Sequence, residues 1–176
     1  MAGEKVVSSK TIYKGRIINL RVDTVETPDG KQATREIVER GDCIAVVPID
    51  REGNILMVKQ YRHATERELL EIPAGGVEPG EDVEMAVRRE MSEETGFSPA
   101  TIQRIGGFYS SPGFCTEYLH LFIATDLEPN RLEAEDTASI ELIKIKPEAV
   151  EDLISSETIC DAKSIAGICA YLRIRS

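Results

Sequence analysis

The chain has 176 residues, 41% apolar and 30% charged, enough for one compact domain with a sizeable core. A formal charge of −10 argues against coating a nucleic acid or binding an anionic membrane, so a phosphorylated ligand must be met by cations and a local cluster of arginines. Cys43, Cys115, Cys160 and Cys169 show no C-x-x-C spacing, the opening MAGEKVVSSK lacks an apolar core, and no run reaches the roughly 20 apolar residues of a membrane span. The expected setting is the reduced cytoplasm.

In chain order, residues 10–25 read as β structure by their β-branched content. Thr27-Pro-Asp-Gly30 is a turn, and residues 32–39 return from it, so an N-terminal antiparallel β hairpin is expected. Residues 43–49 form a continuous apolar run, Arg51-Glu-Gly-Asn54 a turn, and residues 55–61 a second buried strand. Residues 68–73, 101–109, 117–125 and 139–145 supply further strands, the middle pair flanking a Ser110-Ser-Pro-Gly-Phe114 loop. Pro147 opens a helix with Val150, Leu153 and Ile154 on one side. After Asp161 a second helix repeats Ile165, Ile168, Cys169 and Leu172 at a spacing that buries one stripe. Strands flanked by a central and a C-terminal helix predict an α+β layered domain with a mixed sheet. The divisions expected within this single domain are 1–40 (β segment), 41–146 (core) and 147–176 (helices).

Residues 70–97, LEIPAGGVEPGEDVEMAVRREMSEETGF, concentrate carboxylates in one glycine-bounded helix. Asp82 is a candidate N-cap and Gly96 stands at the C′ position. On a helical wheel Val83, Ala86, Val87 and Met91 define an apolar arc. Glu90 and Glu94 fall inside it, with Glu93 at its edge. Carboxylates on the core-facing side need protonation, a counter-charge or a cation, and an oxygen cluster of this kind suits Mg²⁺ or Mn²⁺. Arg89 is a candidate structural counter-charge.

From Gly75 the spacing is five residues, Glu81, seven residues, then Arg89-Glu90-Met91-Ser92-Glu93-Glu94-Thr95-Gly96-Phe97. This stretch resembles the Nudix box of the Nudix hydrolases at every defined position. The resemblance implies an α/β/α sandwich and Mg²⁺-dependent hydrolysis of a diphosphate linked to another group. It also implies that Glu90 and Glu94 are the principal metal ligands, that Glu93 is a further ligand or water contact, that Glu81 supports Arg89, and that the Ala74 carbonyl reaches a metal.

Outside the box, Arg35-Glu-Ile-Val-Glu-Arg40, Lys59-Gln-Tyr-Arg62, Leu70-Glu-Ile-Pro-Ala-Gly75, Ser110-Ser-Pro-Gly-Phe114 and Asp161-Ala-Lys-Ser164 resemble the ADP-ribose pyrophosphatase branch. Pro112 lies sixteen residues beyond Gly96, a spacing associated in the family with ADP-ribose. The resemblance implies hydrolysis of ADP-ribose to AMP and ribose 5-phosphate. Arg35, Glu36, Arg40, Arg62, Pro112, Gly113 and Glu117 become candidate substrate contacts, and a homodimer is implied in which N-terminal strands are exchanged between subunits. For the base that deprotonates the attacking water, the acidic run expected before the last strand is out of register here. Glu135 and Asp136 are then the first candidates, followed by Glu93 and Glu117. Alternative readings are the same chemistry on a nucleotide sugar, dinucleoside polyphosphate or oxidised nucleotide, and a non-catalytic module that binds ADP-ribose. His63 and His120 are too few for a histidine-based site.

Overall fold

The structure is a computed structural model that describes residues 3–133 and 139–175. The chain divides into two compact units, one reaching to Asp42 and including Tyr109–Tyr118, the other formed by Cys43–Phe108 and the residues from Leu119 onward. Among the described residues no helix is long and apolar enough to cross a membrane.

The first unit is an antiparallel sheet of β1 (Lys5–Lys14), β2 (Asn19–Glu26) and β3 (Gln32–Glu39), in that order. The expected hairpin is β2 with β3, in unbroken register from Asn19↔Glu39 to Glu26↔Gln32. Its turn closes with the Gly30 N–H donating to the Thr27 carbonyl at 2.8 Å, and Gly30 takes a φ of 82°, a left-handed conformation that glycine adopts without a Cβ penalty. Residues 10–25, read as one β segment, are instead parts of two strands. The chain reverses over residues 15–18, where the Gly15 N–H donates to the Ile18 carbonyl at 3.0 Å. Gly-Arg-Ile-Ile carries two β-branched residues and only one turn former, so composition disguised the reversal. Near the end of β3, Val38 also bridges in parallel to Cys115, with the Val38 N–H donating to the Phe114 carbonyl at 2.7 Å and the Thr116 N–H to the Val38 carbonyl at 3.0 Å.

The second unit is built on β4 (Cys43–Pro48), every residue of which is buried. It lies in a mixed four-stranded sheet of order β7-β4-β9-β8, comprising β7 (Ala74–Gly76), β8 (Phe97–Tyr109) and β9 (Tyr118–Pro129). β7 runs antiparallel to β4 and β9 parallel. A second, antiparallel sheet joins β10 (Glu141–Ile145), β5 (Ile55–Arg62) and β6 (Arg67–Glu71) in that order.

Alternation along β4 explains its continuous apolar run. Ile44 and Val46 pack with Phe122 against Ala86, Val87 and Met91 of helix α1 (Val83–Glu94). Cys43, Ala45 and Val47 pack with Leu121 against Ile168 and Tyr171 of α3 (Ala162–Arg175) and Val150 of α2 (Val150–Ser155). A strand covered by helices on both faces has no polar side, and each of these larger side chains contributes about 1.5–3 kcal/mol by leaving water. This is the expected α/β/α layering.

The α3 stripe differs from the expected one. Ile168 is buried, and Ile165 and Leu172 border the core, but Cys169 is exposed; Ser164, Gly167 and Tyr171 take the buried side. A Cβ on Gly167 would stand 2.8 Å from Ile72 Cδ1 and 3.2 Å from Val47 Cγ2, so the helix sits on the sheet through its small residues. Counting apolar residues hides this, because Gly and Ser carry no hydrophobic signal.

Candidate active site

Helix α1 begins as its sequence prescribes. The Asp82 carboxylate accepts from the Glu84 N–H at 2.9 Å, and the helix ends before Gly96, whose φ is 78°. Burying Ala86, Val87 and Met91 turns Glu90 and Glu94 inward toward β7. Glu90 lies against Gly75, where any Cβ would overlap its carboxylate, and only 13% of its side chain is exposed. Glu94 accepts from the Ala74 N–H at 3.1 Å. The two carboxylates thus close on successive residues of one short strand.

Arg89 supplies the local positive charge, as expected of a counter-charge. Its Nε and Nη2 form a fork on Glu81 at 3.0 Å each, and Nη2 also donates to the Gly76 carbonyl at 2.8 Å. Nη1 meets Glu90 at 2.7 Å and Glu93 at 3.4 Å. Glu81 in turn accepts from the Glu78 N–H at 3.0 Å. Hydrogen bonding from Arg89 holds the Glu81 carboxyl below its ordinary range, and the same contact raises Arg89.

Glu90 and Glu94 are perturbed in the opposite direction. Burial pushes Glu90 up despite Arg89 beside it. Burial and then the charge of Glu90 push Glu94 up to about 8, against the Ala74 N–H and the more distant Arg62 and Lys163. Two inward carboxylates that resist ionisation together are short of positive charge.

Among the described residues, no three His, Cys, Asp or Glu side chains stand in an arrangement that holds a metal. Glu90 and Glu93 are bent onto Arg89 and Glu94 onto the main chain. The donor set nevertheless fits a hard divalent cation: all oxygen, two members one helical turn apart, and a charge deficit where they meet. Arg89 keeps its Glu81 fork and main-chain contact if Glu90 and Glu93 turn away.

Arg62, at the end of β5, meets Glu71 through Nε at 2.6 Å. In the first unit, Arg35 forms an ion pair with Glu4 and donates through Nη1 to the Thr34 carbonyl at 2.9 Å. Glu36 is exposed and, being next in the strand, projects from the other face of β3. Arg35 and Glu36 are therefore not brought together. Arg40 and Glu117 are, at 2.7 Å. Pro112 and Gly113 lie in an exposed turn, closed by the Phe114 and Cys115 N–H groups donating to the Ser111 carbonyl at 3.1 and 2.8 Å. Glu135 and Asp136 lie outside the described residues. Sequence reasoning missed Glu71 and Lys163 as members of this region, although both stand in stretches it singled out.

Acidic helix, glycine boundaries and layered sheet together define the class. Residues 39–163 match the family described as NUDIX domain, and residues 4–38 match the Nucleoside diphosphate sugar hydrolase N-terminal domain. The chain belongs to the Nudix family and is a Nudix hydrolase. It is 38% identical over 174 residues to an ADP-ribose pyrophosphatase of Bacillus subtilis (strain 168), covering 98% of this chain and 94% of that protein. It is 35% identical to a methanol dehydrogenase activator of Bacillus methanolicus, with the same coverage of each. The solved structure of an ADP compounds hydrolase superposes with a TM-score of 0.90 at 20% identity, covering 98% of this chain and 94% of that one; this likeness concerns the fold.

Proposed function

We propose that this chain hydrolyses the diphosphate bond of ADP-ribose to AMP and ribose 5-phosphate, with Mg²⁺ as cofactor and Mn²⁺ as a substitute. The observation that carries the reading is the pair Glu90 and Glu94, turned inward one helical turn apart and both held above the usual carboxylate range. The similarity to an ADP-ribose pyrophosphatase along nearly the whole chain supports the choice of substrate.

Glu90 and Glu94, with Glu93 and the Ala74 carbonyl, would hold the metal. Bound there, a divalent cation offsets phosphate charge and lowers the pKa of a water. Water adds to one phosphorus, giving up a proton to the base, as the bridging P–O bond breaks and the departing phosphate keeps that bond's electron pair. Arg62 is assigned to the substrate phosphates, a role that suits a guanidinium at a strand end with 36% of its side chain exposed. Arg40, Glu117, Pro112 and Gly113 are assigned to the rest of the nucleotide, along with Arg35 and Glu36. Glu135 is assigned as base from the sequence alone.

We further propose a cytoplasmic homodimer formed through the N-terminal sheet. β1 is exposed along its whole length and presents Val6, Val7, Ile12 and Tyr13, each more than half exposed. Apolar strand surface of this kind calls for a partner.

A second reading, the same chemistry on a nucleotide sugar, is favoured by the description of the domain matched by residues 4–38. A panel of ADP-ribose, nucleotide sugars and dinucleoside polyphosphates, each assayed with and without Mg²⁺, separates the two. The proposal expects the highest kcat/KM on ADP-ribose, and a higher value on a nucleotide sugar overturns it.

A further inference from the structure

Glu71 is a carboxylate only 3% exposed, and two cations reach it from different parts of the chain. Arg62 Nε donates to Oε2 at 2.6 Å, and Lys163 Nζ, from the first turn of α3, donates to Oε1. Lys163 also donates to Asp161 at 2.8 Å, and the same carboxylate oxygen accepts from the Ser164 N–H at 3.1 Å. Asp161 therefore fixes both the helix start and the lysine.

A carboxylate buried this deeply needs each oxygen satisfied. Here the work is divided: Lys163 takes one oxygen and Arg62 touches the other through Nε. The terminal guanidinium nitrogens of Arg62, which can fork onto a phosphate, are thereby not drawn onto Glu71. Without Lys163, Oε1 would be left open on the carboxylate that already holds Nε, and Arg62 would close on Glu71 as a bidentate pair.

The same turn of α3 steadies the segment that carries the site. Ser164 Oγ accepts from the Ile72 N–H at 2.8 Å, the Val46 N–H donates to the Pro73 carbonyl at 2.9 Å, and the Ala74 N–H is held by Glu94. Residues 71–74 are each tied to another part of the second unit.

We infer that Lys163 is a positioning residue for diphosphate hydrolysis, acting through Glu71 to keep the Arg62 guanidinium presented to substrate. This rests on the assignment of Arg62 to the phosphates.

The test is a kinetic series on full-length protein with ADP-ribose and saturating Mg²⁺. Lys163→Met is expected to raise KM about tenfold with kcat within about threefold, the pattern of binding lost equally from ground and transition states. Lys163→Arg restores KM. In an Arg62→Gln background, Lys163→Met adds less than about a twofold further rise, because its route to substrate is already cut. An active parent whose KM is unchanged in Lys163→Met overturns the inference alone, as does a full tenfold addition to Arg62→Gln or a loss in kcat that follows Tm. A parent that does not hydrolyse ADP-ribose overturns the functional assignment and this inference with it.

Discussion

Arg89 and Glu94 show how differently two charges of one helix are treated. Arg89 is saturated by Glu81, Gly76, Glu90 and Glu93, whereas Glu94 has one main-chain donor and a raised pKa. The sequence showed the inward aim of Glu90 and Glu94, because an apolar arc and a carboxylate on one helix share a fixed 100° geometry. It could not show that Lys163 meets Glu71, 92 residues away. Glu94→Gln keeps the volume and removes the charge, so kcat should fall at least about a hundredfold with the fold intact; near-parental Mg²⁺-dependent turnover would remove Glu94 from the metal site. The pH dependence carries a definite sign. Because the folded-state pKa of Glu94 is raised from 4.5 to about 8, its contribution to metal-free stability is present below 4.5 and lost as pH rises through about 8. A cation competes with that proton, so Mg²⁺ should raise Tm more at about pH 9 than at about pH 6, and Glu94→Gln should level the two.

Elements were legible where periodicity or capping governs them, as with α1 between Asp82 and Gly96 and the doubly covered β4. They were less legible where backbone approach governs them. β7 is three residues, Ala-Gly-Gly, with no side-chain pattern to betray a strand, yet it pairs with β4 and receives both inward carboxylates, Glu90 and Glu94. The strandless look of Ala-Gly-Gly has a reason: Glu90 occupies the place of a Cβ at Gly75. Gly75→Ala is accordingly expected to displace Glu90 and lower kcat by about tenfold or more, with circular dichroism unchanged and a higher Mg²⁺ concentration needed for half-activation. Parental half-activation by Mg²⁺ in Gly75→Ala would mean that Glu90 does not depend on this close approach.

For the whole molecule, composition and the order of elements were enough to read an α+β layered domain, but nothing in the strand pattern of residues 10–25 disclosed a separate exposed β1. That strand bears on assembly. Light scattering at working concentration should report a dimer, and deletion of residues 1–40 should remove both dimer and activity; an active monomer of the full chain would contradict the assembly proposed for the N-terminal sheet. Divalent-metal hydrolysis of one diphosphate bond is checked by its products. Purified full-length protein incubated with ADP-ribose and Mg²⁺ should release AMP and ribose 5-phosphate in equal amounts, stop on addition of a chelator, and resume when Mg²⁺ is restored in excess. Failure to form these products, or formation that a chelator leaves unchanged, would contradict it.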